Sequence, residues 1–170
     1  MNITTQQHKN AIIYVENVYD GSLSNDAKMV ESIPWQSWIR QWLNCLGSIT
    51  QVAEDCELSL RLTSDRQIQI FNQQYRSLDR PTDVLAFAAT ESDLTLPSEF
   101  AEPLYLGDIL ISLDTAATQA IEQQHSLQIE LAWLASHGLL HLLGWDHPDD
   151  VSLQQMLQQQ SELVQTLNLY

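Results

Sequence analysis

Three histidines fall within eleven residues, in the run HGLLHLLGWDH that closes on His147. His137 and His141 are four apart, so on a helix their imidazoles leave the same face one turn from each other. Gly144 follows three residues later, and a glycine there takes the left-handed conformation and turns the chain sharply. His147 can then swing back toward the other two. Three convergent imidazoles with an open fourth position are the ligand pattern of a catalytic zinc rather than of a closed structural site. Zinc held by three neutral histidines keeps its double charge and lowers the pKa of bound water to about 7. Imidazole also suits nickel, copper and iron, which leaves another divalent transition metal as the alternative. Unrelated histidines satisfied in a core would account for one HxxxH pair, but poorly for a third histidine placed after a glycine turn.

The same spacing, HxxxHxxGxxH, occurs in metalloproteases that read HExxHxxGxxH. Those enzymes use the glutamate as general base, and this chain has Gly138 in its place. Peptide hydrolysis by that route therefore lacks its proton acceptor. Asp146 stands beside His147, either to orient an imidazole or to cap the turn before His147-Pro148. A fourth ligand, if the site were closed, would come from elsewhere, Asp108 or His125 for example. His125 itself reads as a surface helix residue.

The chain carries 22 acids against 7 Lys plus Arg, a formal charge of -15. That charge repels bulk nucleic acid and anionic membranes, and excludes a generic basic nucleic-acid coat. Four of the cations, Arg61, Arg66, Arg76 and Arg80, cluster where the only acids are Asp65 and Asp79. Arginine forks match phosphate oxygens in a bidentate way. For Arg61, Arg66 and Arg80 the expected partners are nearby acids such as Asp79 and Asp83.

These groups need elements to position them. Residues 11–18 and 56–62 read as strands, as do TDVLAFAA and YLGDILIS, the last with a polar break at Asp108. Residues 34–46 read as a helix whose Trp35, Trp38 and Trp42 share one face, an aromatic stripe expected in the core. Ser64 or Asp65 is expected to cap a short helix running to about Tyr75, and Asp114 one near 115–124. Ser126 opens a longer helix, apolar nearly all round and so buried, which carries His137 and His141 and ends at Gly144. Residues 149–167 form a last amphipathic helix, and the QQQ at 158–160 reads as solvated helix surface. Residues 90–103, with four acids and two prolines, read as an exposed loop. The sum is one domain over 1–170, a small mixed sheet of three or four strands packed with about five helices.

Cys45 and Cys56 form no CxxC and read as reduced core thiols. The polar N-terminus lacks the apolar stretch of a signal peptide, and no run of about 18 apolar residues exists, so a cytoplasmic protein is expected.

FNQQYRSLDRPTDVLAFAA, YLGDILIS and HGLLHLLGWDH, in that order over residues 71–147, resemble the YbeY family of bacterial ribosomal-RNA maturation endoribonucleases. The resemblance implies an α+β fold, a metal held by His137, His141 and His147, and a functional arginine in the YR pair, here Arg76. It implies cleavage of single-stranded RNA in small-subunit rRNA 3′-end maturation and in ribosome quality control. The partners are then rRNA and a ribosomal particle or its proteins, without DNA or membrane. The chain departs from the family in reading LAFAA where LSFP is frequent, and Trp145 where tyrosine is common. Two other readings remain at this level: a non-catalytic ribosome-assembly factor with a structural metal, and another zinc hydrolase, such as a peptidase using a different base.

Overall fold

Cys56, Leu58, Leu60 and Leu62 are buried while Glu57, Ser59 and Arg61 between them are half-buried, the period of two that a strand with one face in a core must show. This strand is β2 (Cys56–Thr63). The computed structural model describes residues 11–23, 26–47, 55–89 and 103–170. The other elements in chain order are β1 (Ile12–Asn17), α1 (Ala27–Ser32), α2 (Trp35–Leu46), α3 (Asp65–Arg76), β3 (Val84–Ala88), β4 (Leu104–Ser112), α4 (Leu113–Glu122), α5 (Leu127–Leu142) and α6 (Asp150–Gln165). The sheet order is β1-β2-β4-β3. β1, β2 and β4 run parallel, and β3 lies antiparallel to β4 at the edge. This is the expected α+β architecture with four strands. The described residues hold six helices rather than five, because the six residues of α1 are too few for a helical period to register in sequence. Of the expected 90–103 loop, all but Pro103 lies outside the described residues.

One face of the sheet shares a single core with α2, α4, α5 and α6. The tryptophan stripe is part of it, as expected: Trp35, Trp38 and Trp42 are all buried, and Trp42 Nε1 donates to the Leu163 carbonyl at 2.9 Å. The other face receives α3 through Ile68, Leu85 and Leu110. Beside α3 that face stays open as a hollow of about 740 Å³, lined among others by Tyr14, Arg61, Tyr75 and Asp108. Among the described residues no helix is long and apolar enough to cross a membrane.

The start of the outer edge of β1 is covered from within. Ile13 N–H donates to Gln36 Oε1 at 3.0 Å, and Gln36 Nε2 and Arg40 Nε, one turn apart on α2, both donate to the Ala11 carbonyl.

Local expectations fare unevenly. Ser64 stands at the N-cap of α3, but its side chain caps nothing. The first N–H of that helix, Asp65 N, instead donates to Asp114 Oδ2 at 2.8 Å. Asp114, expected to cap its own helix, thus caps α3, and Ser112 caps α4 by accepting from Thr115 N. Arg61 pairs with Glu16 at 2.8 Å, its register neighbour on β1, not with Asp79 or Asp83. Among the described residues Arg66 and Arg80 form no ion pair either: Asp79 accepts from Gln69, and Asp83 from Val84 N, Thr82 and Gln119. Both cysteines are free, but Cys45 is exposed and only Cys56 lies in the core. Burial, then Asp55, pushes the Cys56 thiol up to about 11.

The irregularity of β4 falls at Gly107 rather than Asp108, which stays within the strand. The β2–β4 register skips there, Glu57 facing Tyr105 and Leu58 facing Gly107. Gly107 has φ +133°, and a Cβ would lie 2.1 Å from the Phe87 carbonyl oxygen. Gly107→Ala is therefore expected to destabilise the protein by roughly 1–3 kcal/mol from backbone strain alone, with the clash in addition. Chemical denaturation measures this; an unchanged midpoint would show that the strand relaxes freely at this point.

Candidate metal centre

Helix α5 is apolar around its circumference, and most of its residues, from Leu127 to Leu142, are buried. Ser126 caps it, its hydroxyl accepting from Ile129 N. Gly138 lets it approach the sheet, since a Cβ there would stand 2.7 Å from Ile109 Cγ2. A longer side chain at 138 would run into β4. The position thus has no room for the protease-type glutamate, quite apart from lacking one.

The helix ends as the sequence leads one to expect. Gly144 has φ +89°, its N–H donates to the His141 carbonyl, and Trp145 N–H reaches back to the Leu140 carbonyl, both at 3.0 Å. This pair of bonds reverses the chain over a left-handed glycine. The reversal returns His147 to the helix. The ring centroids of His137, His141 and His147 are 4.6, 5.8 and 5.4 Å apart pairwise, and one ligand atom from each lies within 4.8 Å of the others. Nε2 of His137 and Nε2 of His141 face each other at 3.0 Å. A tetrahedral ion with metal–nitrogen bonds of about 2.0–2.1 Å separates its ligand atoms by roughly 3.3 Å. The three side chains therefore fit one divalent transition metal, with room for a further ligand.

Burial lowers the pKa of His137, as do His147 and Arg76, while a hydrogen bond to Gln160 and the charge of Asp83 oppose the shift. Burial again leads for His141, reinforced by the other two histidines. Both rings are thus held neutral near pH 7, the state that ligates metal. For the metal-free protein a lowered histidine pKa means that stability is complete above the ordinary value of 6.5 and is lost as pH falls through and below it. Glu130, raised by burial, acts with the opposite sign in the acid range. Melting of the metal-free protein is therefore expected to weaken from pH 7 toward pH 5.5, and His137→Gln to flatten the slope. Parallel pH profiles for the two would remove His137 from this linkage.

Around the histidines lies a cavity of about 510 Å³, whose lining includes Arg76, Thr82, Asp83, Trp133, Asp146 and Gln160. A second hollow of about 500 Å³, lined by Tyr75, Phe87 and Trp145 among others, shares Arg76, Ala86, His141 and Asp146 with it. The two make one groove running past the histidines and β3. Arg76, the last residue of α3, is exposed and forms no ion pair among the described residues.

A family model described as Endoribonuclease YbeY matches residues 22–168. The chain belongs to the YbeY family. A protein of Trichormus variabilis named Endoribonuclease YbeY is 55% identical over 82% of this chain and 80% of its own length. Another, from Acaryochloris marina, is 52% identical over 91% of this chain and 86% of its own. The solution structure of TM1509 from Thermotoga maritima superposes with a TM-score of 0.52 at 25% identity, covering 90% of this chain and 87% of that one.

Within this YbeY fold several sequence expectations change place. Asp108 accepts from Tyr105 on the open face of the sheet, away from the histidines, so it is no fourth ligand. His125 is in the turn between α4 and α5, not on a helix, and bonds the buried Glu130 through Nε2. Asp146 takes the turn-capping role, accepting from His147 N at 2.8 Å. Gln160 was hidden within QQQ. Gln158 is exposed, but Gln160 is 1% exposed on the face that also buries Met156, Leu163 and Val164. That spacing was the available signal.

Proposed function

We propose that the chain is a metal-dependent endoribonuclease that cuts single-stranded RNA, with zinc held by His137, His141 and His147. The observation that carries this is the convergence on one groove of three imidazoles and an arginine without an ion pair among the described residues. The family names the reaction class, and the groove supports its chemistry. A divalent ion held by the histidines would supply Lewis acidity toward phosphate and water oxygens. Arg76 grips the scissile phosphate with its guanidinium fork and stabilises the charge that grows on it. Tyr75, Phe87 and Trp145 offer ring surface to unpaired bases in the adjoining hollow. The nucleophile is either the RNA 2′-hydroxyl or water, and product ends distinguish them, since a 2′,3′-cyclic phosphate excludes direct hydrolysis by water.

Ribosomal RNA in the cytoplasm, in small-subunit 3′-end maturation and ribosome quality control, is the substrate proposed on the family resemblance. The charge of -15 favours delivery by a ribosomal particle or its proteins over capture of free RNA. The test is a labelled single-stranded RNA, offered free and on assembled small-subunit particles, with and without chelator. Metal-dependent cutting supports the proposal. Absence of cutting in both formats would leave the non-catalytic assembly factor as the better reading.

A further inference from the structure

Gln160 joins α6 to the histidine cavity through both ends of its amide. Nε2 donates to the Trp133 carbonyl at 2.9 Å, and Oε1 lies 3.3 Å from His137 Nδ1. Trp133 and His137 are one turn apart on α5, so one amide spans that turn. The orientation of this amide is not free. Reversing it would set one carbonyl oxygen against another at Trp133. With the NH₂ committed to Trp133, only an oxygen faces the imidazole, so the ring proton of His137 must sit on Nδ1. The lone pair is then on Nε2, the atom facing His141 Nε2 at 3.0 Å. That lone pair is thus aimed at the place an ion shared by the two rings would take.

We infer that Gln160 is a positioning residue, locking His137 in its Nδ1–H form so that Nε2 is held open for an ion, and thereby tying the packing of α6 to the affinity of the site. This rests on the reading of the three histidines as ligands. Partners of a ligand's second nitrogen commonly govern affinity in this way.

The experiment compares wild type, Gln160→Met and Gln160→Glu. Zinc affinity is measured by competition with a chromophoric chelator, and the ring nitrogens of His137 by ¹⁵N NMR of the metal-free protein. Gln160→Met fills the same space without an acceptor, and is expected to weaken zinc binding by about 10- to 100-fold and to mix the tautomers of His137. Gln160→Glu keeps the acceptor toward His137 but loses the donor to Trp133, and is expected to keep the Nδ1–H form and to bind zinc more tightly than Gln160→Met. Equal zinc affinity in wild type and Gln160→Met would overturn the inference while leaving the ligand reading intact. A wild type that binds no zinc would overturn both. Should Gln160→Met fail to fold, the wild-type spectrum still decides: an Nε2–H tautomer of His137 contradicts the inference.

Discussion

Replacing His141 with alanine is expected to remove bound metal and RNA cleavage together. His141 is central to the arrangement, with Nε2 3.0 Å from His137 Nε2 and its ring 5.4 Å from that of His147. It also lines both hollows of the groove. Removing a partner of a ligand already costs about 10- to 100-fold in affinity, so removing a ligand outright should cost at least about 100-fold. Elemental analysis of the purified variant should find metal well below one ion per chain, and cleavage at background. The fold should persist, because the lost side chain is only half-buried and the reversal at Gly144 is made by backbone atoms. A His141→Ala protein that retained a full complement of metal would remove His141 from the ligand set. One that cut RNA as wild type does would point to a contaminating nuclease.

Arg76→Glu should separate the two properties that His141→Ala loses together. Arg76 is exposed at the end of α3, so its replacement disturbs no described ion pair and should leave metal content near that of wild type. Cleavage should fall by about 10²- to 10³-fold, the usual consequence of losing a donor aimed at developing charge. The new carboxylate would also repel the phosphate. Arg76→Lys, which keeps the charge but not the fork, should fall between the two. Wild-type rates in Arg76→Glu would exclude this arginine from the site.

The histidine site was legible because every signal for it is local. A four-residue spacing on one helix, a glycine and a third histidine lie within a single stretch of chain, and helix geometry does the rest. The strands and the buried α5 were legible for a similar reason, since hydrophobic period follows the element itself. The Asp114 contact was not. Capping rules look to the nearest helix, whereas this carboxylate caps one that begins 49 residues earlier, reached only when β4 and α3 are in place. The Arg61–Glu16 pair depends likewise on the parallel register of β1 and β2, which nothing in either segment announces. Gln160 was obscured by identical neighbours, although its spacing from Met156, Leu163 and Val164 marks which of the three glutamines turns inward. Gly138 was noticed for the side chain it lacks, while its close approach to Ile109 required the sheet to be present.

The cover over the start of the outer edge of β1 bears on how the protein behaves when crowded. An uncovered strand edge recruits further strands and seeds edge-to-edge polymerisation. Here the Ala11–Ile13 stretch is blanked by Gln36 and Arg40, whose helix buries three tryptophans on its other side. The two side chains hang from a helix that the tryptophans hold against the core, so the cover is carried by a docked element rather than by a loop. Protection of this stretch against edge pairing is thus tied to the docking of α2.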